Sequence, residues 1–243
     1  MARHLRVGSF LSLAALAFGA IFFSTFPVQA QQTPASASNT QLATDLTNAR
    51  SKNLKLMQKY SWTTRTEVKI KGEQKVLKSE AVHYSPDGKL MKAPLGQAGD
   101  SGKKTRGIRG RVKGRVVERK KGEMRDWAGD LKKLLQAYSL PTAGKVLDFI
   151  NASKVSKGPE PGRIIIQGVN VVNPGDNLTF TVDSRTKALL ETKVQTHLDG
   201  DLVLMRTVYR ALDSGLNYTA ESTVTVPGKK IELKVQNFSF IKN

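Results

Sequence analysis

From residue 163 onward the chain alternates apolar and polar side chains between short turn signals, and no other feature narrows its fold as much. Leu178, Phe180 and Val182 alternate with polar neighbours. Leu190, Thr192, Val194, Thr196 and Leu198 share one face, with Glu191, Lys193, Gln195 and His197 on the other. Leu216, Tyr218, Ala220, Ser222, Val224 and Val226 repeat the pattern, as do Ile231, Leu233 and Val235. A period of two marks strands that bury one face. Turn residues stand at 173–177, 183–186, 199–200, 213–215 and 227–228. Connections that short join antiparallel neighbours, so these strands form a meander. The apolar phase shifts to Phe238 and Phe240, which predicts a bulge near Gln236 or Asn237.

Upstream, Leu42, Leu46, Ala49, Leu54 and Met57 recur near the 3.6 period and predict a helix over 40–59. Trp62, Thr64, Thr66, Val68 and Ile70 then alternate as a strand. A second strand is expected over 75–84, a turn at Ser85-Pro86-Asp87-Gly88, and a brief continuation of the sheet over 89–92. Residues 96–122 are Gly-rich and basic. Eleven Lys or Arg stand between Lys103 and Arg125 against Glu118 and Glu123. The interior glycines cost about 1 kcal/mol each in a helix, so the expected helix is 126–138, preceded by a basic segment that orders on contact with a partner. A short helix is expected within 144–155. Helices grouped in two places cannot build alternating βα units. The expected fold is α+β and mainly β: an open antiparallel half-barrel whose concave apolar face is covered by the helices.

Residues 1–30 carry Arg3, His4 and Arg6, an apolar run from Val7 to Phe26, and Val28-Gln29-Ala30. That is the tripartite pattern of an export signal cleaved after Ala30. A polar leader over 31–39 and a single domain over 40–243 follow, with the basic segment as an insert. There is no cysteine, which excludes disulfides, thiolate metal sites and a cysteine nucleophile. An exported chain that does without disulfides points to the periplasm.

No chemistry-bearing motif stands out. His83 and His197 sit on strands among polar positions without a ligand-like partner. The glycines at 107, 110 and 114 do not match a dinucleotide or phosphate-loop fingerprint. Asp199-Gly200-Asp201 reads as a hairpin turn. The expectation is a non-catalytic protein without a cofactor or a metal.

Tyr60-Ser61-Trp62-Thr63 opens the first strand after a helix. Leu178-Thr179-Phe180-Thr181-Val182-Asp183-Ser184-Arg185-Thr186 forms an alternating strand that runs into an Asp-x-x-Thr turn. In this layout the chain resembles the LolA-like family of envelope proteins, which includes LolB, MucB/RseB-type sensors and mycobacterial lipid-binding lipoproteins. The resemblance implies an unclosed barrel that holds acyl chains or lipidated proteins against helices. The basic Gly-rich insert is not a feature of that family, and the sequence offers no counterpart of its lid-latching arginine.

A one-sided meander under few helices leaves an apolar groove. Its candidate lining is Phe180, Val182, Leu190, Val194, Met205, Tyr209, Tyr218, Val224, Leu233 and Phe238. Candidate contacts to an anionic surface are Lys103, Lys104, Arg106, Arg109, Arg111, Lys113, Arg115, Arg119, Lys120 and Lys121, each worth about 1 kcal/mol beside anionic lipid. The leading expectation is a monomeric periplasmic carrier or binding protein for acyl-chain lipids or lipoproteins. The alternative is an envelope interaction or sensor module that holds anionic lipid, a polyanion or a protein through the basic segment. Export and the lack of an aromatic stacking platform argue against nucleic acid.

Overall fold

The computed structural model describes residues 34–96, 108–140 and 142–243, and the side chains of 38–96, 122–140 and 142–243. The export signal and the start of the leader lie outside the described residues. Ten strands form one antiparallel sheet that does not close. In chain order they are β1 (Tyr60–Ile70), β2 (Glu73–Tyr84), β3 (Leu90–Leu95), β4 (Lys154–Lys157), β5 (Arg163–Val169), β6 (Asn177–Asp183), β7 (Leu189–Leu198), β8 (Asp201–Ala211), β9 (Asn217–Val226) and β10 (Ile231–Lys242). Across the sheet the order is β3-β2-β1-β10-β9-β8-β7-β6-β5-β4. The meander from β5 to β10 is the one the alternation predicts; β4 is an added edge strand that takes Lys154 and Val155 from the expected helix. The β7–β8 hairpin turns on Asp199 and Gly200 with φ of 53° and 81°, the pair of left-handed residues that a tight hairpin of matching twist requires.

One pairing is not local. The last strand, β10, returns to pair with β1 from Ile70↔Ile231 to Tyr60↔Lys242. The bulge on β10 lies at Ser239, where φ is 54°, two or three residues beyond the position the sequence predicts. It falls where Ser61 pairs with Ile241 but Thr63 with Phe238.

Among the described residues three α-helices lie on one face, called inner below: α1 (Pro34–Met57), α2 (Ile108–Ala137) and α3 (Ala143–Asn151). Helix α1 starts inside the expected leader, with Pro34 in the first turn, where its missing N–H is harmless. Helix α2 begins eighteen residues before the helix that the sequence predicts. Local propensity, with interior glycines at 110, 114 and 122, does not by itself extend the helix this far. Strand β3 ends one edge of the sheet and β4 the other. The chain between them must therefore cross the sheet. Thirty helical residues reach about 45 Å, against about 43 Å for ten strands at their usual spacing.

The apolar core falls into two clusters. Ala43 of α1, Tyr138 and Leu140 at the end of α2, and Phe149 and Ile150 of α3 pack on Ile166, Leu178, Phe180, Val182 and Val194 of β5–β7. Leu131 of α2 packs with Val203, Val224, Val226 and Ile231 of β8–β10, with Trp127 and Leu135 alongside. Met205 borders both clusters. Among the described residues no helix is long and apolar enough to cross a membrane.

Candidate functional site

The inner face is sealed over β5–β7 and only partly covered in a band that crosses β9, β10 and β1. One cross-strand row runs Leu178, Val194, Met205, Val224, Leu233, Val68, Val76. Leu178 and Val194 are fully buried, Leu233 and Val68 half-buried, and Val76 is 43% exposed. The next row runs Phe180, Thr192, Thr207, Ser222, Val235, Thr66, Lys78. Phe180, Thr192 and Thr207 are buried, Ser222, Val235 and Thr66 half-buried, and Lys78 exposed. Val224 and Val226 of β9, Ile231 of β10, Trp62 and Thr64 of β1 and Val82 of β2 are buried as well, so the half-covered part of the inner face is a narrow trough at Ser222, Leu233, Val235, Thr66 and Val68. Its floor is mostly apolar, with short hydroxyl side chains between.

Several hydroxyls on the inner face are hydrogen-bonded. Thr207 and Ser222 share a hydrogen bond of 2.9 Å, Thr192 and Tyr209 one of 3.4 Å, and Thr64 Oγ1 donates to Asn237 Oδ1 at 2.6 Å. A polar group left alone on such a floor would cost about 1–3 kcal/mol; pairing lets the floor accept an apolar partner. Burial pushes the Tyr209 hydroxyl above its ordinary pKa, so it stays a neutral donor. At one end of the trough stands an aromatic row. Tyr218 and Phe240 have ring centroids 4.3 Å apart, Phe240 and Trp62 5.7 Å, and Trp62 and Tyr84 6.0 Å. At the other end, Trp127 of α2 lies with Ile70 and Leu233 at the edge of the second cluster, and Lys229 Nζ is 5.4 Å from its ring.

The helices are held by polar clamps. Arg50 of α1 donates to the carbonyls of Ser139 and Leu140, each at 2.9 Å. Asn53 exchanges two hydrogen bonds with the backbone of Asn217. The end of α2 is pinned by Tyr138, whose hydroxyl bonds Asp176 Oδ2 at 2.7 Å and Thr196 Oγ1 at 2.8 Å. Asp176 is 1% exposed and also accepts the backbone N–H groups of Val171, Val172 and Asn173. Burial raises its pKa, but those donors outweigh burial and hold the carboxyl below its ordinary value. Burial likewise drives the Tyr138 hydroxyl well above its ordinary range.

The outer face carries a shallow polar depression of about 630 Å³ over β5–β9. Its two cations, Lys193 and Arg206, both pair with Glu191, at 2.9 and 2.6 Å. The depression therefore offers little unpaired charge. His83 and His197 are both exposed. Among the described residues no three His, Asp or Glu side chains converge as a metal site requires.

The candidate lining residues divide. Phe180, Val182 and Val194 are sealed beneath the helices, and Val224 lies in the second cluster. Met205, Tyr209 and Leu233 are half-buried on the inner face. Leu190 is the extra residue of a bulge, since Thr181 pairs with Glu191 but Val182 with Leu189. Tyr218 belongs to the aromatic row. Phe238 pairs with Thr63 on the outer face and is 43% exposed. The bulge that follows it brings Phe240, not Phe238, onto Trp62. Thr66, Val68, Ser222, Val235 and Trp62 were not among the candidates. Their alternation marked them as inward-facing, but nothing local says which inward positions the helices leave uncovered. Lys103, Lys104 and Arg106 lie outside the described residues. Arg109, Arg111, Lys113, Arg115, Arg119, Lys120 and Lys121 fall on α2, where their side chains also lie outside the described residues.

No protein-family model matches the chain, and no curated protein matches it. A solved structure of a DUF1329 family protein from Desulfovibrio piger aligns with 87% of this chain and 94% of its own, at a TM-score of 0.40 and 9% identity.

Proposed function

We propose that this protein is an exported, non-catalytic carrier or binding protein for acyl-chain lipids, of the LolA-like kind that its layout resembles. In this reading an acyl chain lies in the half-covered trough that crosses β9, β10 and β1, against Val68, Leu233 and Val235, with α2 above it. The supporting observation is the incomplete burial of neighbouring inner-face residues Val68, Leu233 and Val235, with Val76 beside them 43% exposed. A floor of this kind gains by burying a hydrocarbon tail, at about 25 cal/mol per Å² of apolar area removed from water. Binding by burial needs no reactive group, and the hydroxyls of Ser222 and Thr64 are already paired. The basic start and apolar run of residues 1–30 are the basis for placing the mature protein in the periplasm.

The test is lipid content and uptake. Protein purified from its own envelope should yield acyl lipids on solvent extraction, read by mass spectrometry, and the delipidated protein should take up a fluorescent fatty acid. Val235→Glu, which puts a charge on the trough floor, should weaken uptake at least about tenfold, as one uncompensated charge on an apolar surface implies. Its circular dichroism should stay unchanged. Protein free of lipid that also takes up no fatty acid overturns the proposal.

A further inference from the structure

One donor beside the trough has no acceptor. Among the described residues, Trp127 Nε1 is the buried side-chain nitrogen or oxygen that makes no hydrogen bond. A buried indole N–H ordinarily finds a partner, and removing a donor from water without giving it an acceptor is costly. The surroundings explain why this one stays alone. Trp127 of α2 lies at the edge of the second cluster, whose side chains are all apolar and carry no oxygen. Lys229 Nζ stands 5.4 Å from the ring centroid, but an ammonium group has donors only, and it is held by Asp201 at 2.9 Å. Lys229 therefore steadies the face of the indole and leaves its N–H unmet.

The position of the orphan matters because Leu233 belongs to two places at once. It lies on the half-covered floor of the trough, and it shares the edge of the second cluster with Trp127. A chain lying under α2 and against Leu233 therefore passes beside the indole. An acyl chain carries oxygen at its head and none along its tail, so a single donor in an apolar setting selects the head. We propose, on the carrier function given above, that Trp127 Nε1 donates to the carboxyl or ester oxygen of the bound acyl chain. This anchors the head of the ligand beside Leu233 and sets which way round the chain lies. Hydrocarbon without an oxygen would fill the trough but leave the donor unpaired.

The chain has two tryptophans, so the experiment follows two indole N–H signals by NMR in isotope-labelled protein, with Trp127→Phe telling them apart. Stearic acid should move the Trp127 signal downfield, as a new hydrogen bond does, and the Trp62 signal less. Stearic acid with a nitroxide label near the carboxyl should broaden the Trp127 signal more than the same acid labelled near the methyl end. Phosphatidylcholine labelled near its ester repeats the comparison, and whichever lipid broadens the signal identifies the oxygen as carboxyl or ester. Trp127→Phe keeps an apolar ring and loses the donor. It should bind stearic acid at least about tenfold more weakly, the worth of a hydrogen bond to a charged group. Should Trp127→Phe fail to fold, Trp62→Phe identifies the signals and the label comparison decides. Broadening no stronger with the label near the head, or undiminished binding by folded Trp127→Phe, overturns the proposal and leaves the carrier function standing. A protein that takes up neither lipid overturns both.

Discussion

Asp176 keeps a carboxylate almost out of reach of water, and its four donors explain how. Three backbone N–H groups and the Tyr138 hydroxyl converge on its two oxygens. They tie the loop between β5 and β6 to the end of α2, so one residue fixes where the helix leaves the sheet. Hydrogen bonds to a charged group contribute about 1.5–3 kcal/mol. Asp176→Asn should therefore lower the unfolding free energy at neutral pH by about that much, measured by urea titration. The pH dependence follows from the lowered carboxyl pKa in the folded chain. Its stabilisation is complete above the ordinary value of 3.8 and is lost as pH falls through the lower folded value. The gap between the native protein and Asp176→Asn should narrow below about pH 4; a gap that stays constant down to pH 2 would remove Asp176 from this role.

Helix α3 shows how closely an element can be set on the sheet. Thr142 caps it by accepting the backbone N–H of Lys145, and Phe149 drops from it onto β5 and β6, where its ring meets Phe180 edge to face with centroids 5.2 Å apart. The ring comes down directly over Gly168 of β5. A Cβ there would stand 2.6 Å from Phe149 Cε2 and 2.7 Å from Ser153 Oγ. Gly168→Ala should thus cost about 1–3 kcal/mol by overpacking, seen as a lower Tm. Phe149→Leu in the same chain should recover part of the loss, because it removes the clashing ring. If Gly168→Ala melts like the native protein, α3 sits further from β5 than this packing implies. The short helix expected within 144–155 forms as α3, although Lys154 and Val155 belong to β4 instead. The glycine was silent, since a glycine in a strand does not reveal which neighbour needs the space.

At the scale of the whole molecule, two apolar clusters share one wide sheet and meet at Met205. The sheet is continuous through all ten strands, so the halves should unfold together. Met205→Ala should cost about 2–5 kcal/mol, and the melting curve should remain one transition when followed by both tryptophan fluorescence and circular dichroism. Two separate transitions in the native protein would show that the clusters are independent units. The open sheet also leaves two edges. Strand β3 carries Lys92 and Pro94, the residues that discourage pairing with another strand, although its apolar side chains remain exposed on both faces.

The meander, its turns and the inward-facing side of each strand were determined by the sequence alone, because a period of two and a Gly- or Asp-bearing turn are local properties of a few neighbouring residues. The mainly β character and the failure to alternate with helices followed from the same signals. Three things were decided only in the folded chain. The return of β10 to β1 joins segments more than 160 residues apart, and nothing in either strand names its partner. The full length of α2 reflects a helix that must cross the sheet, which outweighs the glycine propensities on which a local reading rests. The split of the inner face into a sealed and a half-covered part depends on where the helices land. Val182 and Val68 look alike in sequence, yet one has no accessible surface and the other is half-buried, because covering a strand is a property of what lies above it rather than of the strand.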